Sequence, residues 1–276
     1  FQGNAELVGR HITGHPEALK QRGAGTGRGD GMSMAAAAGA ALVGMNRFYG
    51  HMLSVDAFTN DNLWPYPYLD SLVTTGIVVN AGGQRFVDEG RGGVFVANAV
   101  AELDDPLSTH VIFDKAIWEA AGRNGLIPAN PHVEKEGATL HRADSLEALA
   151  GQAGLPAEAL SRTVAAYNDA MARNQPGDLT PPRQSAKYVA MPILKAPFYA
   201  MPMCAGITYT MGGISVNVHA QALREDGSVI DGLYALGTSA GGLEGGPQVG
   251  YVGGLSKGGV TALAAAEHLA GASGPA

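Results

Sequence analysis

The pattern of apolar and polar positions predicts helices and strands along most of the chain. Apolar residues at helical spacing, or an alanine-rich run, predict helices over 32–43, 94–103, 156–173 and 255–269. Apolar runs bounded by glycine, proline or polar residues predict strands over 109–113, 198–205, 213–218 and 232–237. A glycine turn between two apolar runs predicts a hairpin over 76–87, whereas 51–75 and the loop 174–185 are expected to be irregular. This mixture of helices and strands leads us to expect an α+β fold.

Three glycine-rich segments lie in order in the last third of the chain, at 205–213, 232–242 and 250–259. A short apolar strand runs through the second segment, and the predicted C-terminal helix begins in the third. Backbone N–H groups and a helix N-terminus at the end of a buried strand form a good site for a phosphate or an anionic ring edge. The segments therefore predict a site for an extended ligand.

Length and composition narrow the class of protein. A chain of 276 residues can form one large domain or two and bury a core. Its 40 glycines are about twice the usual ~7% share, which suits close turns and close approach of backbone to a ligand. The net charge of −7, without a basic cluster, argues against nucleic acid as a partner.

The single cysteine, Cys204, excludes an intramolecular disulfide and any multi-cysteine metal site, and we expect it to be a buried thiol. This is compatible with the cytoplasm, where we place the protein. The histidines show no metal-binding spacing, so no metal site is expected. Since no apolar run reaches ~18 residues, no membrane span is expected either.

Several short motifs occur in the order in which a known family has them. They are Phe1-Gln-Gly-Asn4, Gly27–Met32, Gly76–Asn80 with Gln84–Glu89, Val164–Asn168, Thr210–Gly213 and Gly232–Gly237. On these motifs the chain resembles the succinate dehydrogenase/fumarate reductase flavoprotein family over most of its length. Within the family it resembles the tricarballylate dehydrogenase and 3-ketosteroid dehydrogenase branches.

The resemblance implies two domains and an activity. Residues 1–50 and 205–276 would be a remnant of the flavin-binding α/β domain, and 51–204 an inserted α+β clamp (capping) domain that closes over the substrate. The cofactor would be FAD, the reaction an oxidation or reduction of a CH–CH bond, and the substrate a small carboxylate or keto compound. Tricarballylate-like tricarboxylates and keto-steroids both remain open. An electron-transfer partner enters as a further candidate.

The family's Gly-x-Gly-x-x-Gly turn, which holds the pyrophosphate of FAD, has no counterpart in the chain. The glycines at 23–31 follow no apolar strand and have a different spacing. We therefore expect a C-terminal portion of such an enzyme, with the missing N-terminal half of the same protein as its partner. Such a portion would bind FAD weakly or not at all by itself.

Candidate catalytic residues are Arg91, Tyr209 and Tyr251. Arg91 lies two positions before the place of the family's proton-transferring arginine, which Gly93 occupies here. A solvated loop arginine is the competing interpretation. Tyr209 and Tyr251 stand where fumarate reductases have a histidine and an arginine, and suggest phenolic donors to a carbonyl or carboxylate, or a proton relay. Core tyrosines with satisfied hydroxyls are the alternative.

The resemblance also implies residues that bind substrate and cofactor. Substrate-binding roles fall on His51, Thr208 and Thr210. Cofactor-binding roles fall on Asp30, Tyr209, Gly237, Thr238, Gly253, Gly254, Ser256 and Lys257. Asp30 also reads as a helix N-cap and His51 as a packing or surface histidine, while Ser256 and Lys257 would offer backbone N–H groups to the flavin.

Two other functions remain open beside the enzyme. One is a non-catalytic fragment that binds a small molecule or a partner without flavin. The other is a flavin enzyme whose nucleotide-binding half is a separate chain. Bound flavin in the purified protein distinguishes the enzyme from the non-catalytic fragment.

Overall fold

The computed structural model describes residues 1–184 and 186–271, which form two compact units. Unit 1 comprises Phe1–Pro16, Gly23–Tyr49 and the chain from Ile207 onward, and unit 2 comprises Glu17–Arg22 and Gly50–Gly206. The predicted boundaries after 50 and after 204 lie within two residues of these breaks. Ser185 of the predicted loop and residues 272–276 of the predicted flavin-binding domain lie outside the described residues. The assignment of the units as flavin-binding and clamp domains stays a prediction.

The chain combines helices with antiparallel strand pairs, which confirms the predicted α+β fold. The helices are α1 Ala5–His11, α2 Asp30–Ala37, α3 Asp70–Thr75, α4 Gly93–Ala101, α5 Lys115–Glu119, α6 Ala129–Lys135, α7 Leu146–Ala153, α8 Ala157–Ala172 and α9 Gly254–Leu269. The strands are β1 Lys20–Gln21, β2 Leu42–Val43, β3 Phe48–Ser54, β4 Ile77–Val79, β5 His110–Asp114, β6 His141–Ala143, β7 Phe198–Thr210, β8 Gly213–Ile214, β9 Gln221–Leu223 and β10 Val229–Tyr234.

The strongly periodic segments were predicted well. Helices α4, α8 and α9 confirm the predicted helices 94–103, 156–173 and 255–269, and β5 confirms the strand 109–113. Strand β7 begins at Phe198 as predicted but runs five residues further than 205. The predicted hairpin 76–87 is a short turn after β4, closed by one bridge between Val79 and Arg85.

Other predictions from the pattern were wrong. The helix predicted over 32–43 ends at Ala37, because Gly39 adopts a left-handed φ of +92° just after it, and Leu42–Val43 pair with β8 instead. Part of 51–75 is regular, since β3 pairs with β7 and α3 begins at Asp70. Tertiary pairing overrides a weak local signal at both places.

The core of unit 2 is a sheet in the order β1-β7-β5-β4, with β3 and β6 also paired to β7. The pairs β4–β5, β5–β7 and β6–β7 are antiparallel. Every residue of β4 and β5 is buried, as expected of strands covered on both faces. Cys204 of β7 is fully buried beside Leu53 and Leu63, which confirms the predicted buried thiol. Burial raises the pKa of this thiol to about 12.

Unit 1 contains two small antiparallel ladders, β2 with β8 and β9 with β10. Predicted strand 213–218 is therefore reduced to Gly213–Ile214, and 232–237 is replaced by β10, which ends at Tyr234. Gly237 has a φ of +54° and opens a 3-10 turn, which ends the extended backbone before the predicted position. The segment after this turn leads through a glycine-rich loop to α9.

Within 1–184 and 186–271, no helix is long and apolar enough to cross a bilayer. Over the same residues, no group of three or more His, Cys, Asp or Glu side chains is placed to hold a metal ion.

Candidate functional site

A cavity in unit 1, which we call the glycine cavity, has a volume of about 300 Å³. It is lined by Phe1, Gln2, Thr26–Met32, Tyr209, Thr210, Gly212, Gly213, Thr238 and Ser239. Its volume is at the lower end of the range for small-molecule sites, ~300–1,000 Å³. The cavity therefore has room for part of a dinucleotide.

Two glycines of this cavity are required by close packing of backbone. A Cβ on Gly212 would lie 2.5 Å from the Cα of Met45, and a Cβ on Gly213 would lie 2.4 Å from the carbonyl oxygen of Ser239. Both neighbouring atoms are backbone, so a side chain at either position would displace the chain. This explains the Gly-Gly that follows Thr210 and Met211 in the sequence.

Polar side chains of the glycine cavity are mainly hydroxyls. The hydroxyls belong to Thr26, Thr210, Thr238, Ser239 and Tyr209. Asp30 adds a carboxylate. Hydroxyl and carboxylate groups are suited to the sugar hydroxyls of a nucleotide, because a hydroxyl both donates and accepts hydrogen bonds and a carboxylate accepts them. The donor set fits the ribose or ribityl part of FAD.

Asp30 is the first residue of α2 and is solvent-exposed. The N-cap position belongs to Gly29, which has a φ of +83° and leaves α2 without a side-chain cap, so the N-cap interpretation of Asp30 is wrong. Thr210 Oγ1 accepts a hydrogen bond of 2.8 Å from the backbone nitrogen of Phe1. Both predicted residues thus lie at the glycine cavity.

Three tyrosines of unit 1 form an aromatic group beside a buried carboxylate. The rings of Tyr49 and Tyr251 stack with centroids 4.1 Å apart, and the ring of Tyr209 lies 5.5 Å from Tyr49 and 6.1 Å from Tyr251. We call Tyr49, Tyr209, Tyr251, Glu244 and Lys257 the tyrosine cluster.

Glu244 is the centre of the tyrosine cluster. Its Oε1 accepts hydrogen bonds from the hydroxyl of Tyr209 (3.1 Å) and the backbone N–H of Val252 (3.0 Å), and its Oε2 accepts one from Lys257 Nζ (3.2 Å). The side chains of Glu244 and Lys257 are 0% and 1% exposed. Burial, followed by the charge of Glu244 and the hydrogen bond to it, raises the pKa of Tyr209 far above the usual phenol value.

The loop that carries Glu244 and Tyr251 is shaped by glycines. Backbone hydrogen bonds in both directions join Gly245 and Gly250, and Gly245 and Gly246 have φ values of +89° and +67°. Only glycine adopts such angles without strain. The reversal brings Tyr251 back beside the carboxylate that precedes it.

The residues near the start of α9 that were predicted to bind the cofactor differ in whether their backbone N–H groups are already hydrogen-bonded within the protein. Gly253 is the N-cap, and α9 begins at Gly254. The backbone N–H of Lys257 donates to the carbonyl of Gly253 inside the helix, so the predicted offer of this N–H to a flavin is wrong. The N–H of Ser256 lies in the first turn of α9, where N–H groups have no partner within the helix. The N–H of Gly237 donates to Thr261 Oγ1 of α9 at 2.9 Å.

Unit 2 has a histidine–carboxylate pair. His51 Nδ1 lies 2.6 Å from Asp70 Oδ2, and the imidazole stacks on the ring of Tyr68 with centroids 4.5 Å apart. Asp70 also accepts the backbone N–H of Met52 at 3.0 Å. A carboxylate on Nδ1 fixes the tautomer and the orientation of the ring, as in hydrolytic triads. Burial, then the charge of Asp70, raises the pKa of Tyr68.

Asp70 also explains the glycine at the place of the family's arginine. A Cβ on Gly93 would lie 2.0 Å from the carboxyl carbon of Asp70, so no side chain fits there. Arg91 ends the 3-10 turn Glu89–Arg91, and its guanidinium lies 3.6 Å from the ring centroid of Phe95. This is a cation–π contact.

The structure brings the predicted residues together in three places. The glycine cavity is lined by Asp30, Tyr209, Thr210 and Thr238. The tyrosine cluster contains Tyr209, Tyr251 and Lys257. The start of α9, or a residue bonded to α9, accounts for Gly237, Gly253, Gly254 and Ser256. His51 and Arg91 belong to unit 2, and Thr208 is a half-buried residue of β7. The roles predicted for all of them stay predictions.

Sequence reasoning missed Glu244, Asp70 and Tyr49. Glu244 is a lone charge between Gly241-Gly242 and Gly245-Gly246, which is a usable signal, since an isolated charge in a glycine-rich loop needs a partner. Asp70 and Tyr49 gave no local signal, because their partners are distant in the sequence or specified only by ring geometry.

Comparison with known proteins places the chain in a family. A family model described as "FAD binding domain" matches residues 8–250. NADH:acrylate oxidoreductase of Vibrio harveyi is 33% identical over 174 residues, which are 63% of this chain and 16% of that protein. A 3-oxosteroid 1-dehydrogenase of Mycobacterium tuberculosis (strain ATCC 25618 / H37Rv) is 32% identical over 183 residues, 58% of this chain and 32% of that protein.

A solved structure shows the same fold. The crystal structure of 3-ketosteroid delta1-dehydrogenase from Sterolibacterium denitrificans in complex with 1,4-androstadiene-3,17-dione has a TM-score of 0.74 and 23% identity. The alignment covers 99% of this chain and 52% of that one. The chain thus spans about half of this neighbour, and the matched parts of the curated relatives are smaller fractions of their lengths.

Proposed function

Since the chain belongs to the FAD binding domain family, as its resemblance to the succinate dehydrogenase/fumarate reductase flavoproteins predicted, we propose that it is part of a flavin-dependent oxidoreductase acting on a CH–CH bond beside a carbonyl. The family match confirms FAD as the predicted cofactor. When bound, FAD supplies a hydride acceptor or donor. The protein's part is to orient the substrate and to move a proton.

The observation that carries this proposal is a pair of neighbouring phenols beside a buried carboxylate. Tyr209 donates to Glu244 at 3.1 Å, and the ring of Tyr251 lies 6.1 Å from that of Tyr209. A CH–CH dehydrogenation needs a group that takes a proton from one carbon, and its reverse needs a group that returns it. Tyr251, 47% exposed at the outer end of the pair, is the residue we assign to that contact.

The charge of the tyrosine cluster favours a keto substrate over a carboxylate. Lys257 is paired with Glu244, so the charges within the cluster cancel. Phenol hydroxyls polarise a neutral carbonyl, whereas a carboxylate is best bound by a guanidinium fork. The 3-oxosteroid 1-dehydrogenase among the relatives acts on a keto compound by name, which agrees with this choice. A carboxylate such as acrylate, fumarate or tricarballylate is the second candidate.

His51 and Arg91 keep their substrate-binding and catalytic roles in this proposal. Asp70 fixes the orientation of the His51 imidazole through Nδ1, which suits a side chain that binds a substrate oxygen. Arg91 retains its predicted role in proton transfer, with its guanidinium held by Phe95. An electron donor or acceptor protein, and further chain of the same protein, complete the enzyme in this proposal.

The glycine cavity is proposed to hold the sugar hydroxyls of FAD through Asp30 and Thr238. The test is an absorption spectrum of the chain after mixing with excess FAD and desalting. Retained flavin bands support the cavity as a flavin site. A colourless protein means that this chain does not hold FAD by itself, and supports the non-catalytic fragment or the enzyme built from two chains.

Two variants distinguish binding of FAD at a specific site from nonspecific retention of FAD. Losing a hydrogen bond to a charged group costs ~1.5–3 kcal/mol, so Asp30→Asn should weaken FAD binding by about tenfold or more. Asp231→Asn removes an exposed carboxylate of the same unit and should have no effect. Equal weakening in both variants would contradict the assignment of Asp30.

Activity is then measured on the flavin-loaded protein with a dye as electron acceptor. Dehydrogenation of 4-androstene-3,17-dione supports the keto substrate, and turnover of fumarate, acrylate or tricarballylate instead supports the carboxylate. Tyr251→Phe should lower kcat by a factor of ~10²–10⁴ if Tyr251 transfers the proton. A Tyr251→Phe variant as active as the wild type would exclude this role.

A further inference from the structure

The carboxylate of Asp70 in unit 2 is held in place by its neighbours. Its Oδ1 accepts the backbone N–H of Met52 at 3.0 Å, and its backbone carbonyl accepts the hydroxyl of Thr74 at 2.7 Å. A Cβ on Gly93 would lie 2.0 Å from its carboxyl carbon, so the bare backbone of Gly93 is what leaves room for the carboxylate. The second oxygen, Oδ2, therefore has a defined direction.

That second oxygen meets the imidazole of His51. Nδ1 of His51 and Oδ2 of Asp70 are 2.6 Å apart, and the two side chains are 15% and 17% exposed. A hydrogen lies between two such atoms at this distance. Since an ionised carboxylate only accepts, the hydrogen belongs to Nδ1, in the neutral as well as in the protonated imidazole.

This assignment decides what the other ring nitrogen of His51 can do. A neutral imidazole has one donor and one acceptor nitrogen, so Nε2 is then the acceptor. In the imidazolium both nitrogens donate. Because a carbonyl oxygen only accepts, Nε2 can bind one only when the ring is protonated. The stack on Tyr68, with centroids 4.5 Å apart and rings 20° from parallel, fixes the plane in which Nε2 lies.

We propose that Asp70 is the positioning residue of His51, and that it makes His51 an imidazolium donor to the carbonyl oxygen of the substrate. This rests on the proposed CH–CH reaction beside a carbonyl. When the C–H proton next to the carbonyl passes to the proton acceptor of that reaction, the electron pair of the C–H bond moves toward the carbonyl oxygen. The Nε2–H of His51 stabilises the negative charge that develops there, and His51 keeps both of its ring hydrogens.

The charge of this pair agrees with a keto substrate. The positive imidazolium and the negative carboxylate of Asp70 cancel, so the pair offers a hydrogen-bond donor without net charge. Such a donor suits a neutral carbonyl, whereas a carboxylate is best bound by a guanidinium fork. The tyrosine cluster of unit 1 led to the same class of substrate.

Other titratable groups around His51 lie behind the ring of Tyr68. The guanidinium of Arg22 is 6.0 Å from the ring centroid of Tyr68 and 5.6 Å from that of Tyr66, and it donates to the carbonyl of Pro65. Burial, then the charge of Asp70, raises the pKa of Tyr68, so its phenol is neutral where the imidazole titrates. Asp70 is therefore the charge in direct contact with Nδ1, and its replacement is the informative change.

The first test is nitrogen-15 NMR of the His51 ring, which needs neither flavin nor substrate. The ring nitrogen that carries a hydrogen and the one that does not have well-separated chemical shifts in a neutral imidazole. Loss of the signals in His51→Gln assigns them among the eight histidines. In the wild type, the alkaline limit of the titration should show the hydrogen on Nδ1. A hydrogen on Nε2 in that limit would overturn the proposal.

Asp70→Asn should reverse the tautomer. The backbone N–H of Met52 needs an acceptor, so the oxygen of the new amide faces Met52 and its NH2 group faces His51 Nδ1. Nδ1 must then accept, and the hydrogen of the neutral ring moves to Nε2. Asp61→Asn makes the same change at an exposed residue of the same unit and should leave the ring unchanged. An Asp70→Asn spectrum that coincides with the wild type would show that Asp70 does not select the tautomer.

Gly93→Ala tests the same contact without changing a charge. Its Cβ would displace the carboxyl of Asp70 from its present place, so part of the neutral His51 rings should carry the hydrogen on Nε2. If Asp70→Asn does not fold, this variant replaces it. Ring signals of Gly93→Ala that match the wild type would then count against the proposal.

The second test uses the flavin-loaded protein and the keto substrate. In the wild type, kcat/KM should fall about tenfold per pH unit above the His51 titration seen by NMR, because the neutral ring has no Nε2–H. In Asp70→Asn, Nε2 carries a hydrogen without a charge, so kcat/KM should be about tenfold lower at low pH and this fall should vanish. The wild-type pH profile in Asp70→Asn would overturn the role in the reaction. If the wild type turns over no substrate, the proposed function fails, and NMR still decides whether Asp70 positions His51.

Discussion

Each unit of the protein has a buried ion-pair network, and the two networks end on different partners. In unit 2, Arg85 and Arg183 both bind Glu89, at 2.6 and 3.0 Å, and all three side chains are at most 3% exposed. In unit 1, Lys257 binds Glu244 and the carboxylate continues to the phenol of Tyr209.

Other donors of the unit 2 network go to backbone. Arg85 donates to the carbonyls of Val87 and Pro181, Arg183 to those of Thr74 and Gly76, and Glu89 accepts the N–H of Val78. Within the described parts of the chain, Arg183 Nε is buried without a hydrogen-bond partner. Such a network joins chain segments that are about 100 residues apart. It is architectural.

The unit 1 network ends on the side-chain hydroxyl of Tyr209, which is half-buried. Among the described residues, its one backbone donor is the N–H of Val252. A buried charge that serves the fold is therefore distinguished from one that serves chemistry by where its hydrogen bonds end. The following predictions test this difference.

Glu89→Gln should have the largest effect on stability. It leaves two buried arginines without a full counter-charge, so the free energy of unfolding should fall by about 3–5 kcal/mol. Urea denaturation followed by circular dichroism measures this. Glu158→Gln, in an exposed pair with Arg162, is the control and should leave the midpoint unchanged. Equal midpoints for Glu89→Gln and the wild type would refute an architectural role.

Replacing both charged residues of an ion pair should affect the free energy of unfolding differently in the two networks. Glu244→Gln should cost up to about 3 kcal/mol, and Glu244→Gln/Lys257→Met should recover to within about 1 kcal/mol of the wild type, because no buried charge is left. The matched pair Glu89→Gln/Arg85→Met should not recover, since the backbone carbonyls of Val87 and Pro181 lose their donor. Recovery of both double variants in urea denaturation would remove the distinction.

Because Tyr167 in unit 2 is buried, we expect the free energy of unfolding to fall at high pH. Burial raises its pKa to about 12, and Arg183, 6.0 Å from its ring, opposes this. Because the pKa of Tyr167 is higher in the folded protein than in the unfolded chain, its un-ionised phenol contributes fully to the free energy of unfolding below pH ~10. This contribution, about 2–3 kcal/mol, is lost as the pH rises toward 12. Tyr167→Phe should flatten the unfolding free energy over this range. The same slope in both proteins would contradict the linkage.

Two glycine replacements should have opposite signs. Gly93→Ala should destabilise by about 1–3 kcal/mol, because its Cβ would collide with the carboxyl of Asp70. Gly151→Ala, in the open interior of α7, should stabilise by about 0.5–1 kcal/mol. Thermal denaturation measures both. A neutral Gly93→Ala would show that Asp70 can leave His51 without cost.

The sequence predicted the α+β fold, the long periodic helices α4, α8 and α9 and the family, since each depends on local spacing or on short motifs. It also pointed to Tyr209, Tyr251 and Lys257, although it assigned Lys257 to the cofactor through a backbone N–H that the helix uses itself. Element ends were less predictable. The left-handed Gly39 ends α2 early, and β3 is regular because it pairs with β7.

Which residues share a site was decided by tertiary structure. Glu244 and Lys257 are 13 positions apart, Tyr209 is 35 positions before Glu244, and Asp70 is 19 positions after His51. No local pattern contains these distances, because the loop at 241–253 and strands β3 and β7 bring the groups together. The sequence by itself determined the class of chemistry, through residue types in glycine-rich motifs. Only the packed chain determined the partner of the Tyr209 phenol, because that depends on which buried carboxylate the hydroxyl meets.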